Sequence, residues 1–266
     1  MEIERETMDV DVLFVGAGPG NLVASYHLMN LLKSHNQDVE KGIKQGKTFP
    51  LDEMMIVVIE KANEVGAHSF SGAVMDPIAI QEVMPDWLEQ GCPIEGRVDD
   101  DAVMFMTEKH AIKLPITPPP LENHGNYVIS LSKVCRWLGQ KCEENGVQIF
   151  AGFPGVNVLF DEDKRVSGVQ TGDKGIDPDG NQKDNFEAGI NLKAKVTVFG
   201  EGARGNLVRQ LEQKLGVQKG KNPQSYEMGV KEVFELPAGR VKPGQVWHTM
   251  GFPLKNHTFG GGFLYG

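Results

Sequence analysis

The sequence predicts an α/β protein, α+β overall, built on a Rossmann-like parallel sheet with an inserted antiparallel region. Three observations predict it. Val10, Val12, Leu13, Phe14 and Val15 form a short apolar run that enters Gly16-Ala-Gly18-Pro-Gly20 and then a helix-compatible segment from Leu22. Met54 to Glu60 is a second apolar run, ending on an acid. Ile190 to Phe199 alternates, becomes continuously apolar and delivers a second glycine turn, Gly200-Glu-Gly-Ala-Arg-Gly205, with a new helix from Ala203 to Leu215.

The first glycine turn opens the argument for a dinucleotide. Gly16 lets the chain turn sharply, Gly18 lets backbone approach a pyrophosphate, and the helix start from Gly20 presents free amides and the positive end of its dipole. In G-x-G-x-x-G register the third glycine falls on Asn21, with Gly20 one place early. Asn21 either pushes the helix outward or points its amide at the cofactor, and the residues alone leave both open.

The first helix is expected at about 20–33, followed by a polar surface insertion, 34–53, containing Gly42, Gly46 and Pro50. The acid closing the second strand, Glu60, stands where such folds bind ribose hydroxyls; the insertion explains its doubled distance from the glycines. The small-residue run Gly66-Ala-His68-Ser-Phe-Ser71-Gly72 would admit a flat ring or a phosphate close to backbone, with His68 either touching the ligand or bonding structurally. Asp76-Pro77 opens a short helix that Pro85 interrupts. Ala102–Thr107 and His110–Leu114 read as a hairpin, and Pro115 to Leu121 as an apolar, Pro-rich loop.

Tyr127–Ser130 is a strand fragment, and Leu131 to Asn145 an amphipathic helix stopped by Gly146. Val147–Ala151 is a strand, Val156–Phe160 and Val166–Thr171 form a hairpin, and 173–189 is a loop or ribbon end. Tyr226–Glu235, Gln245–Met250 and Phe259–Tyr265 read as strands of an antiparallel region.

With 27 Lys and Arg against 36 Asp and Glu, the chain is acidic, which argues against nucleic acid as its partner. Its three cysteines, Cys92, Cys135 and Cys142, show no C-x-x-C spacing, so neither a disulfide framework nor a metal site is expected. The first nine residues carry neither an apolar nor an Arg-rich leader pattern, so no targeting peptide is expected there. The longest apolar run, Met54 to Ile59, is too short to cross a bilayer.

Taken together, the sequence resembles the electron-transfer flavoprotein:ubiquinone oxidoreductase family, within the wider group of geranylgeranyl reductases and aromatic hydroxylases. The words that carry the resemblance are Glu60-Lys61, Val65-Gly-Ala-His68, Ser71-Gly-Ala73, Met84-Pro-Asp-Trp87, Asn123-His-Gly-Asn-Tyr127, Glu201-Gly202 and His257-Thr-Phe-Gly-Gly261 with Phe263-Leu-Tyr265. The resemblance implies a membrane-associated flavoenzyme passing electrons from reduced electron-transfer flavoprotein through FAD to ubiquinone. It also implies a four-iron four-sulfur (4Fe-4S) cluster in a ferredoxin-like carboxyl-terminal region. Glu60, the small-residue run and the second glycine turn agree with FAD as the dinucleotide.

Carried over by position, the resemblance places Gly16, Gly18 and Gly20 at the pyrophosphate and Glu60, with Lys61 beside it, at the ribose. Gly66, Ala67, His68, Ser71 and Gly72 fall on the pyrophosphate and flavin side, Val156 at the adenine, and Glu201 and Gly202 over the ribityl and phosphate chain. Gly260 and Gly261 match the glycine pair at the quinone. No side chain is nominated as acid or base, because the flavin carries the electrons. The resemblance divides the chain into an FAD-binding domain, 1–222, and the start of a quinone-binding region, 223–266, in what is expected to be an amino-terminal part lacking the cluster domain. Peripheral membrane contact is expected through 74–88 and 104–121, on the cytoplasmic face of a bacterial inner membrane. The alternatives are a geranylgeranyl reductase-like enzyme acting on an isoprenoid and a non-catalytic FAD-binding fragment.

Overall fold

A computed structural model describes residues 3–70, 72–255 and 257–266. The chain divides into two compact units, one of Met1–Ser69 with Cys135–Asn222, the other of Phe70–Val134 with Pro223–Gly266. The segment 70–134, counted from sequence among the insertions of the 1–222 domain, thus groups with 223–266.

In chain order, β1 (Thr7–Val15) leads through the glycine turn into α1 (Pro19–Glu40), and β2 (Ile56–Glu60) follows. Then come β3 (Ala73–Met75), α2 (Ile78–Val83), β4 (Ile94–Arg97), β5 (Asp100–Met106), β6 (Ala111–Lys113), a 3-10 turn at Pro119–Leu121 and β7 (Tyr127–Ile129). The helix α3 (Leu131–Glu144) carries the chain to β8 (Gln148–Ala151), β9 (Gly155–Phe160), β10 (Val166–Thr171), β11 (Lys174–Ile176), β12 (Gln182–Glu187) and β13 (Asn191–Phe199). The helix α4 (Asn206–Leu215) and the strands β14 (Gln245–Gly251) and β15 (Gly262–Tyr265) complete the set.

Among the described residues, the first unit is organised by a six-stranded sheet in the order β8-β2-β1-β13-β10-β9. Its β8, β2, β1 and β13 run parallel, with Val12 opposite both Ile56 and Val196. The outer pair β10 and β9 is antiparallel. The continuous apolar runs sit where such runs belong, at the centre: Ile56, Val57, Val58 and Ile59 are at most 1% exposed. At roughly 2 kcal/mol for each buried aliphatic side chain, this one strand contributes a large part of the unit's cohesion.

Leu207 of α4 joins Val10, Leu13, Val57, Ile59 and Leu192 in one core cluster, and Gln210 ties that helix to β9 by donating to the Val156 carbonyl and accepting from the Val158 amide. α1 lies against α3. There the Cys142 thiol donates to the Leu22 carbonyl at 3.2 Å, and the Asn145 amide donates to the Tyr26 carbonyl and to Asn30 Oδ1.

The first helix outruns the expected span, continuing to Glu40, because 34–40 contains no Gly or Pro and the chain breaks only at Gly42, whose φ is +71°. The end of the insertion then folds back on it: Asn36 exchanges two 2.8 Å hydrogen bonds with the Phe49 backbone, and His35 packs on the Phe49 ring. The polar stretch 173–189 holds a two-stranded ribbon, β11 with β12.

The second unit carries a four-stranded sheet, β15-β14-β5-β6, and an antiparallel three-stranded sheet, β3-β7-β4. The expected hairpin is the pair β5 and β6. Two expectations are corrected. The region is mixed rather than antiparallel, since β14 runs parallel to β5, with His248 opposite Val103. The expected strand Tyr226–Glu235 is not formed. Its Met228, Val230 and Val233 are 83–96% exposed, and among the described residues no neighbouring strand offers it a backbone ladder, without which alternation alone does not make a strand.

Candidate cofactor site

At the carboxyl ends of β1, β2 and β13 the first unit opens a cavity of about 700 Å³. This is where open parallel sheets place their ligands. The glycine turn forms its floor. The Gly16 amide donates to the Ile59 carbonyl at 2.8 Å and the Gly200 amide to the Val15 carbonyl at 3.0 Å, so three strand ends are knitted together beneath the cavity.

The three glycines differ in what they do. Gly16 has φ +95°, and a Cβ there would stand 2.7 Å from the Gly200 carbonyl oxygen; it is needed by the fold. At Gly18 and Gly20 an added Cβ would meet nothing within 4 Å, and both residues line the cavity. Gly18 is the N-cap of α1, which has no side-chain cap among the described residues and no acid in its first turn. The helix amino terminus therefore offers backbone amides and its positive dipole end to an anion in the cavity. A pyrophosphate fits this cradle in charge and in room.

Asn21 resolves the question the sequence leaves open, and in neither of the two ways. It is 6% exposed, and its Nδ2 donates inward to the carbonyls of Val15, at 2.9 Å, and Gly16, at 2.8 Å. The amide thus buttresses the turn from behind.

Glu60 lies 13% exposed at the end of β2 and lines the cavity. Its Oε2 accepts from the Ala17 amide and its Oε1 from the Ala62 amide, each at 2.8 Å. Each carboxylate oxygen keeps a further lone pair for a ligand hydroxyl. His68, largely exposed, has Nδ1 3.9 Å from Glu60 Oε1, and Lys61 and Gly66 also line the cavity. Ala67 is exposed beside them. Ser71 lies outside the described residues. Gly72 belongs to the second unit, where its carbonyl accepts from Lys231.

The second glycine turn brings Glu201, Gly202, Arg204 and Gly205 to the cavity wall. Glu201 Oε2 accepts from the Leu207 and Val208 amides at 3.0 Å, so this carboxylate caps α4. The two helix starts facing the cavity are therefore unlike: α4 is neutralised by its own acid, and α1 is left for an external anion. Val156 stands on β9 and is not among the cavity-lining residues, whereas Phe153 and Gly155 beside it are. Ser69, which sequence reasoning offers with Ser71 as a donor in the small-residue run, lines the same cavity, as does Arg204, which sequence reasoning passes over. The proximity of Arg204 to a turn carrying a ligand site was the available signal. Gly260 and Gly261 lie exposed in the second unit, before β15.

A parallel sheet with a glycine turn, an uncapped helix start and an acid at the end of the second strand defines a Rossmann-like α/β fold with a cradle of the dinucleotide type. The solved structure of a geranylgeranyl bacteriochlorophyll reductase-like protein from Thermoplasma acidophilum shares that fold: 17% identity, TM-score 0.53, covering 92% of this chain and 51% of the other. The particular likeness is to the electron transfer flavoprotein-ubiquinone oxidoreductases, and it extends over the whole chain. Identity is 41% over 266 residues with the mitochondrial protein of Bos taurus and 40% with that of Homo sapiens, in each case over 100% of this chain and 41% of the relative. With the Arabidopsis thaliana protein it is 41%, over 99% of this chain and 39% of the relative. A family model described as ETF-QO, ubiquinone-binding, matches residues 226–266. The chain thus spans about two fifths of the length of these relatives.

Proposed function

We propose that the protein takes electrons from reduced electron-transfer flavoprotein on an FAD held in the first unit and passes them to ubiquinone bound in the second. The observation that carries this reading is the end-to-end likeness to proteins named for that reaction. The cavity at α1 supports it independently, since its donors suit a pyrophosphate.

When bound, FAD supplies the electron chemistry, accepting and releasing electrons singly or in pairs. The chain's own residues bind and orient. Gly18 and Gly20 leave room for the pyrophosphate at the amides of α1, Asn21 holds that turn rigid, and Glu60 fixes the loop while receiving ribose hydroxyls. Glu201 and Gly202 close the far wall, and Gly66, Ala67 and His68 face the flavin side. In the second unit, Gly260 and Gly261 stand within the 226–266 match and are taken as the glycine pair beside the quinone; a Cβ on Gly261 would run into the Thr249 carbonyl oxygen, so that glycine also serves the approach to β14. A 4Fe-4S cluster would lie in sequence that the relatives have beyond the span matched here.

Among the described residues no helix is long and apolar enough to cross a membrane. Peripheral contact, on the cytoplasmic face of a bacterial inner membrane, is supported by exposed apolar side chains in both 74–88, where Ile78 and Leu88 are 60% and 40% exposed, and 104–121. Phe105, Ile112 and Ile116 of the latter are 43–75% exposed, whereas Met84 and Trp87 of the former are buried.

The test is anaerobic mixing of the FAD-loaded protein with reduced electron-transfer flavoprotein. Bleaching of the flavin band, restored by a short-chain ubiquinone, is the expected result. Reduction of a prenyl double bond instead, or no electron uptake, would refute the proposal.

A further inference from the structure

The second unit contains a cleft of about 520 Å³ among Val128, Trp247, Phe263, Leu264 and Tyr265. Two ammonium groups belong to its lining, and they are differently placed. Lys133 is paired with Glu95 at 2.7 Å. Lys231 has no carboxylate partner among the described residues; its Nζ donates to the Gly72 carbonyl and lies 5.0 Å from the Phe263 ring centroid and 5.7 Å from that of Tyr265. Those two rings are stacked, 5.1 Å apart and 12° from parallel.

A lysine ammonium has three donors, and the Gly72 carbonyl uses one. Aromatic faces attract the charge but accept no strong hydrogen bond, so the remaining donors stay available beside apolar walls. A ligand oxygen placed there meets a donor of this half-buried ammonium, while a hydrocarbon of the same shape covers that donor and leaves it unmet. The flat, paired rings favour a planar ligand over a bulky one.

We propose that Lys231 is a substrate-contact residue that donates a hydrogen bond to a carbonyl oxygen of a quinoid ring in this cleft, and so selects oxygenated rings over hydrocarbon ones. The inference rests on the ubiquinone reading above; Gly260 and Gly261 are not in the lining of the cleft but come shortly before Phe263, which is, and Lys231 is added as the residue that reads the oxygen.

The experiment titrates the purified chain with a short-chain ubiquinone and, separately, with a prenylated arene lacking the ring oxygens. Quenching of tryptophan fluorescence is the readout, because Trp247 lines the cleft. Lys231→Met is expected to weaken quinone binding about tenfold or more and to leave arene binding unchanged, whereas Lys231→Arg stays within about threefold of the parent. Thermal unfolding establishes that both variants are folded. Unchanged quinone binding by folded Lys231→Met would overturn the inference alone, as would equal weakening for quinone and arene, which would mark Lys231 as wall packing only. Failure of the parent chain to bind the quinone would overturn the ubiquinone reading and the inference with it.

Discussion

The side-chain amide of Asn21 occupies the space beside Gly200 so closely that a Cβ on Gly200 would lie 2.5 Å from it. The first helix and the second glycine turn are thereby matched, one supplying a side chain and the other the absence of one. Gly200→Ala must displace an amide that satisfies one buried and one half-buried carbonyl. A loss of about 2–3 kcal/mol in denaturant unfolding is expected. Asn21→Ala should cost about 2 kcal/mol, and an unchanged unfolding midpoint for either variant would contradict the buttress.

Glu60 accepts from two backbone amides while facing the cavity. Glu60→Ala removes both acceptors and the ribose contact, and FAD affinity should fall by about tenfold or more, corresponding to roughly 1.4 kcal/mol. Glu60→Gln keeps one acceptor for an amide and should lose less. Flavin titration of the two variants separates them.

Burial pushes the thiols of Cys92 and Cys142 up to about 11, and raises Cys135 as well. The fully buried cysteines should be unreactive toward a thiol-specific reagent in the native protein at neutral pH and should all react once the chain is unfolded. Rapid labelling of Cys135 or Cys142 in folded protein would show that α3 does not pack as described.

Asp173 joins the segment before β1 to the ribbon, accepting from Arg5 and from the Gly189 amide. The Arg5 hydrogen bond, with the Gly189 amide, holds its carboxyl below the ordinary carboxylate range. A depressed folded-state pKa stabilises above the unfolded value and ceases to do so as pH falls through the folded one. Asp173→Asn should therefore cost about 1 kcal/mol near neutrality, and the difference from the parent should close below about pH 4. A pH-independent difference would contradict the pairing.

The parallel core was legible because buried strands read as continuous apolar runs bounded by glycine. Ile56–Ile59 is legible on that signal, and β13 on an alternation that turns apolar before a glycine turn. Glu60 and the glycines were placed by spacing and chemistry. The buttressing by Asn21 was not, since it depends on Gly200, far away in the chain, lying within reach of its amide. The non-strand at 226–235 misled for a related reason: alternation reports a face that wants covering, and pairing depends on whether another strand is there. Glu201 capping α4 was equally hidden, because a carboxylate beside a helix start can serve either the helix or a ligand.

Gly18 separates the fold from its proposed ligand most cleanly. Its φ of −78° and ψ of 169° suit any residue, and an added Cβ meets no protein atom within 4 Å. The decisive measurement is FAD titration of Gly18→Val beside the parent, with thermal unfolding as control. The predicted result is a folded variant within about 1 kcal/mol of the parent, the scale of a poor N-cap, with FAD affinity reduced by about a hundredfold, roughly 2.7 kcal/mol. A folded Gly18→Val that binds FAD as tightly as the parent would contradict a pyrophosphate at the start of α1.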